Sequence, residues 1–298
     1  MMENSLKQIL TDKKLSAEKI DILEKLIRGL ESIENVLALV LGGSYCTGNA
    51  HEDSDLDIGI YYSPKAPFST EAIRELAKKF DTRNNPVVTD FYEWGPWVNG
   101  GAWIHHNNCK IDFLYRNIEQ LKETIENAKN GIYVNNFEQQ PPYGFTSVTY
   151  LAETQKSIVL YDPHDMLSVM KNEISVYPGK LKTSIIKNSL WSAEFTISHL
   201  DGFHKNGDVF NVMGCLTRVV KNFADVLYAI NESYPMGYKR VVPELEKMEK
   251  IPDNLNGKIE KILCCNDDDT CGNIELVKVL FAEIVTLAEG MYIPKYTL

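Results

Sequence analysis

Apolar residues near the N-terminus recur at helical spacing, and then the period changes. Residues 3–12 and 16–32 read as helices; in the second, Ile20, Leu23, Leu26, Ile27 and Leu30 line one face, and Ser16 with Glu18 supplies a start. The run VLALVL (36–41) is unbroken and apolar, ends on Gly42-Gly43, and has the length of a buried strand. LDIGIYY (56–62), closed by Ser63-Pro64, and VVTDFYE (87–93) read as further strands. Between them, residues 69–80 return to helical spacing behind Ser69 as N-cap. AWIHH and KIDFLYR flank Asn107-Asn108, a hairpin turn because Asn tolerates positive φ, and 117–129 is helical.

The segment QQPPYGF (139–145) interrupts both periodicities and is the natural linker. From residue 146 onward the pattern is almost wholly helical, in segments 146–157, 181–204, 209–231, 242–249, 256–265 and 273–290. Neither a repeat nor a low-complexity tract interrupts it. The expectation is an α+β chain: a domain over residues 1–140 with a small mixed sheet flanked by helices, then an α-helical bundle over 141–298.

Charge and composition narrow the partners. The 298 residues carry 31 Lys and Arg against 41 Asp and Glu, a net charge of −10, which repels phosphate backbones and anionic membranes. A cationic small molecule or a basic protein patch suits that field better, and nucleotide binding is compatible where Mg²⁺ neutralises the local charge. Hydrophobic residues at 44% exclude wholesale disorder. MMENSLKQILTDKK lacks the apolar core of a signal peptide, and no run approaches the ~18 apolar residues of a membrane span. Six scattered cysteines do not form a disulfide framework, so a cytoplasmic protein with reduced thiols is expected, as monomer or homodimer.

The chemistry concentrates in LVLGGSYCTGNAHEDSDLDIGIYY (39–62). Gly42-Gly43-Ser44 follows a strand, where glycine lets the backbone turn and approach a ligand; the plainer reading is a simple turn. Asp55 and Asp57 lie two apart on an extended segment, so their carboxylates share a face while Leu56 and Ile58 face the core. Two carboxylates so close repel unless one is protonated or a cation sits between them, and an all-oxygen site of this charge suits Mg²⁺. The competing reading is a solvated acidic turn of Asp53, Asp55 and Asp57. Asp112 is a third carboxylate inside an apolar strand, with Ile111, Phe113 and Tyr115 facing the other way. It either completes the cluster or pairs with Lys110 or Arg116.

Gly43-Ser44, then Asp55 with Asp57, then the isolated strand residue Asp112 resemble the motif of the nucleotidyltransferase superfamily that includes polymerase β and the antibiotic nucleotidyltransferases. The motif covers residues 36–116; LAETQKSIVLYDP (151–163) and AINESYPMGYKR (229–240) are similar, less specifically, to the helical parts of bacterial members. The resemblance implies transfer of a nucleoside monophosphate, AMP from ATP or its counterpart from another NTP, to a hydroxyl of a small acceptor. Asp55 and Asp57 would hold two Mg²⁺ ions, and Asp112 would complete the second and take the hydroxyl proton. Gly43 and Ser44 would hold the β- and γ-phosphates, and Lys239 after the Tyr234-Pro235 turn would counter their charge, with Arg218, Lys221 and Arg240 behind it. An aminoglycoside-like antibiotic suits the net charge. The alternatives are a non-catalytic nucleotide-binding or antitoxin-like module, and transfer to a protein or tRNA.

Other features carry less. Trp94, Trp97 and Trp103 in a glycine-rich stretch before Asp112 either wall an acceptor pocket or pack at the hairpin. His105 and His106, as strand neighbours, point apart and do not form a joint metal site. Cys264, Cys265 and Cys271 lack zinc spacing, and Asp267–Asp269 reads as a solvated loop.

Overall fold

The computed structural model describes residues 4–264 and 270–298; Cys265 and Asp267–Asp269, read from sequence as a solvated loop, lie outside the described residues. In chain order the elements begin α1 (Asn4–Asp12), α2 (Ala17–Glu31), β1 (Ala38–Leu41), α3 (Gly43–Thr47), β2 (Leu56–Tyr62) and α4 (Thr70–Phe80). Then come β3 (Val87–Val88), β4 (Gly101–His106), β5 (Cys109–Asn117), α5 (Ile118–Lys129), β6 (Asn135–Asn136) and β7 (Phe145–Thr146). The rest are α6 (Ser147–Lys156), β8 (Ile158–Tyr161), α7 (Met166–Glu173), α8 (Gly179–Lys205), α9 (Val209–Ile230), α10 (Val241–Leu245), α11 (Leu255–Leu263) and α12 (Thr270–Leu287).

Both expected helix starts form as caps: Ser16 accepts from the Lys19 amide and Ser69 from the Ala72 amide. The strand expected over 87–93 is cut to Val87–Val88. The Thr89 amide still donates to Gly101 O at 3.0 Å, but Thr89 Oγ1 takes the Gly101 amide at 2.8 Å and Tyr92 at φ +69° turns the chain away, so the ladder ends there. The stretch after residue 146 is not wholly helical, since Ile158–Tyr161 forms β8 against β1. Four apolar residues become a strand there because an unpaired edge, far away in sequence, supplies their hydrogen-bond partners.

Contacts divide the chain into two compact units, Met1–Glu126 with Glu153–Val176, and Asn127–Ala152 with Tyr177–Leu298. The division does not fall at 139–145; that segment lies inside the second unit. The first unit holds a six-stranded mixed sheet in the order β3-β4-β5-β2-β1-β8, in which β2 and β5 are parallel and the other neighbours antiparallel. Alternation sorts its side chains by face. Leu39, Leu41, Ile58, Ile60, Ile111 and Phe113 join Leu23, Leu26 and Leu30 of α2 in the core. The opposite face carries Asp57, Lys110, Asp112, Trp103 and Arg116. The second unit is built mainly of helices, with α8 and α9 packed along each other and α12 against α8.

Candidate active site

The parallel pairing of β2 with β5 places Asp57 directly beside Asp112, and the antiparallel pairing of β4 with β5 places Trp103 on Asp112's other side. Register partners share a face, so both carboxylates project from the side of the sheet away from the core. Asp55 stands one residue before β2, and its side chain is 40% exposed against 15% for Asp112.

Above Asp57 the chain leaves β1 through Gly42, whose amide donates to the Asp57 carbonyl at 2.8 Å. Gly43 then adopts φ +61°, and a Cβ there would lie 1.8 Å from Asp57 Oδ2. Only glycine fits, both for the left-handed backbone and for contact with the carboxylate. Ser44 follows in the short helix α3; its carbonyl accepts from the Asn49 amide and from Thr47 Oγ1, while its hydroxyl makes no hydrogen bond among the described residues. Cys46, one turn on, bonds Leu41 O, and burial pushes its thiol up to about 11, so it is not a nucleophile near neutral pH.

The charges here are incompletely balanced. Burial, then the neighbouring charges of Asp112 and Asp55, push the Asp57 carboxyl up to about 6. Lys110 reaches in from the same strand face, 2.8 Å from Asp112 Oδ2 and 3.3 Å from Asp55 Oδ2. Those carboxylates outweigh the opposing effect of burial and raise its pKa. Asp112 Oδ1, by contrast, is buried with no hydrogen-bond partner. Further along the face Arg116, itself buried, pairs with Glu153 at 2.7 Å.

Asp55, Asp57, Asp112, Gly43 and Ser44 are therefore brought together. Asp112 stands level with Asp57 and pairs with Lys110, the partner its alternative reading named. Among the described residues no three Asp, Glu, His or Cys side chains close on a common point as metal ligands, and the Lys110 ammonium pairs with both Asp55 and Asp112. Lys239 is exposed and belongs to the second unit, as do Arg240, Arg218 and Lys221. Trp103 is 44% exposed and stacks on Trp94 with ring centres 5.1 Å apart, on the carboxylate face and outside the core.

Two contributors escaped the sequence reading. Lys110 was weighed only as a partner for Asp112, although the same alternation that aligned Asp55 with Asp57 aligns it with Asp112. Lys19 of α2 donates to Tyr45 Oη, Glu52 O and Ser54 O and so fixes the loop leading to Asp55. No local signal marks it, because its partners lie 26 to 35 residues away.

The site is thus a mixed sheet presenting paired aspartates under a Gly-Ser turn. Residues 23–130 match the family model described as Nucleotidyltransferase domain, and the N-terminal part of the chain is such a domain. Its class of activity is nucleotidyl transfer. Residues 144–240 match a second model, described as Domain of unknown function (DUF4037). Among solved structures, the chain is similar to a nucleotidyltransferase-like protein from Exiguobacterium sibiricum 255-15. The match has 9% identity and a TM-score of 0.41, over 86% of this chain and 69% of that one. No curated protein matches the chain.

Proposed function

We propose that this protein transfers a nucleoside monophosphate, AMP from ATP being the first choice, to a hydroxyl group of a small molecule and releases pyrophosphate. The observation that carries the reading is the Asp57–Asp112 pair beneath Gly43, with the second oxygen of Asp112 buried and without a partner. A buried carboxylate oxygen without a donor costs about 1–3 kcal/mol, a penalty that a bound cation removes.

The donor set fits Mg²⁺: it is all oxygen, and burial, then the charges of Asp112 and Asp55, hold Asp57 above its ordinary pKa. Asp57 and Asp112 would hold the metal, with Asp55 joining when Lys110 releases it; two ions require that release. When bound, Mg²⁺ supplies charge neutralisation at the triphosphate and lowers the pKa of the attacking hydroxyl. The chain's own residues orient the reactants. Gly43 N–H and the unengaged Ser44 hydroxyl are donors for the β- and γ-phosphates. Asp112 is the carboxylate placed to receive the acceptor's proton, and Lys110, once released, remains beside the phosphates as a cation.

The test is pyrophosphate release across the four NTPs with Mg²⁺ and a panel of hydroxylated antibiotics and metabolites. Turnover that disappears in Asp57→Asn, with folding intact by circular dichroism, supports the reading; undiminished turnover in that variant overturns it. Turnover also separates this reading from a non-catalytic nucleotide-binding module.

A further inference from the structure

A cleft of about 590 Å³ opens within the second unit between α8, α9 and residues 133–143, in the volume range of small-molecule sites. Its carboxylate is already satisfied. Asp225 accepts from Lys221 Nζ at 2.6 Å and from the Tyr238 hydroxyl at 2.8 Å, and Lys221 also lies 5.5 Å from the centre of the Tyr238 ring. Arg218, two turns before Asp225 on α9, donates to Ser192 Oγ at 3.2 Å, and among the described residues no carboxylate pairs with it. Two cations against one carboxylate leave the cleft with one positive charge, in a chain whose net charge is −10.

The neutral groups are also incompletely bonded. Asn222 is only 7% exposed; its Nδ2 donates to Ser192 Oγ at 3.0 Å, while its Oδ1 receives no hydrogen bond among the described residues. Ser192 Oγ thus accepts twice and still has its own proton to give. A guanidinium with no carboxylate partner, a free hydroxyl proton and the open amide oxygen of Asn222 form a donor pair beside one acceptor. Tyr133, Tyr143 and Phe137 supply ring faces, with Phe137 77% exposed at the lip.

We propose that this cleft binds a small hydroxylated ring compound bearing one anionic group, a phosphate or a carboxylate. The anion pairs with Arg218 and the Ser192 hydroxyl, a ring hydroxyl donates to Asn222 Oδ1, and the ring lies against the aromatic wall. A polycation finds no free carboxylate here, so the overall acidity of the chain does not set the charge of this ligand. This binding does not depend on the function proposed above.

Isothermal titration of the full chain, without nucleotide or divalent metal, tests this with glucose 6-phosphate, glucose and glucosamine as probes. Glucose 6-phosphate is expected to bind about ten-fold tighter than glucose, a difference of about 1.4 kcal/mol, with glucosamine no tighter than glucose. Arg218→Ala, a change at an exposed position, brings glucose 6-phosphate down to the glucose level, whereas Asp57→Asn leaves it unchanged. The proposal is overturned if none of the probes binds, if glucosamine binds tightest, if Arg218→Ala retains the preference, or if Asp57→Asn removes it. Binding that persists while every acceptor fails to release pyrophosphate removes the transferase reading and leaves this one standing.

Discussion

Gly43 and Asp57 share one space: a methyl group on Gly43 would sit 1.8 Å from Asp57 Oδ2, and the glycine backbone is already at φ +61°. Gly43→Ala must therefore displace the turn, the carboxylate, or both. Pyrophosphate release is expected to fall at least about a hundred-fold, as for a misplacement of about 1 Å at a reacting group. The far-ultraviolet circular dichroism should stay that of the native protein. Near-native turnover would separate this contact from the chemistry.

Asp57 also links stability to pH. Its folded pKa of about 6 lies above the ordinary 3.8, so between those values the folded protein keeps a proton that the unfolded chain has released. Stability is therefore lost as pH rises through this window, and above it the charged form carries the full penalty. Asp57→Asn removes that penalty. At pH 7.5 without divalent metal the variant should be more stable than the parent by roughly 3 kcal/mol, a difference that vanishes near pH 4. Adding Mg²⁺ should raise the melting temperature of the parent and not of the variant, which differential scanning fluorimetry reads directly.

Lys110 competes with any divalent cation for Asp55 and Asp112. Lys110→Met should lower the melting temperature of the metal-free protein, since it leaves like charges facing each other. The same change should tighten Mn²⁺ binding by about ten-fold, equivalent to about 1.4 kcal/mol. Titration calorimetry with Mn²⁺ checks this, and weaker binding in the variant would identify Lys110 as a support for the metal site instead.

In the second unit, the fully buried Glu194 on α8 accepts from the amides of Lys295 and Tyr296 and from the Tyr292 hydroxyl. Glu194→Gln leaves the two amides a neutral acceptor in place of a charged one and sets an amide NH2 opposite the Tyr292 hydroxyl, which must then accept instead of donate. A loss of about 2–4 kcal/mol in urea unfolding is expected, with faster hydrogen exchange at the Lys295 and Tyr296 amides.

Much of this site is legible in the chain. Alternation sends Asp57 and Asp112 away from the core because residues two apart on a strand share a face, whatever the strand pairs with. The Gly42-Gly43-Ser44 turn is equally local. From sequence, Arg218 and Lys221 stand behind Lys239 as charges to counter a triphosphate. The Lys221–Asp225 pair follows from helical spacing, but its closure by Tyr238 does not.

Sequence by itself determined which residues face the core, where the caps fall, and that three aspartates and a glycine-serine turn belong to one half of the chain. Tertiary structure alone decided that β5 lies parallel to β2 with Asp112 level with Asp57, that β8 completes the sheet, and that Lys110 and Lys19 fix the surrounding charges and loop. The reason is physical. Side-chain direction follows from backbone geometry over two to four residues. The choice of strand partner and counter-ion instead depends on the burial and hydrogen bonding of the whole unit, set by residues far apart in the chain.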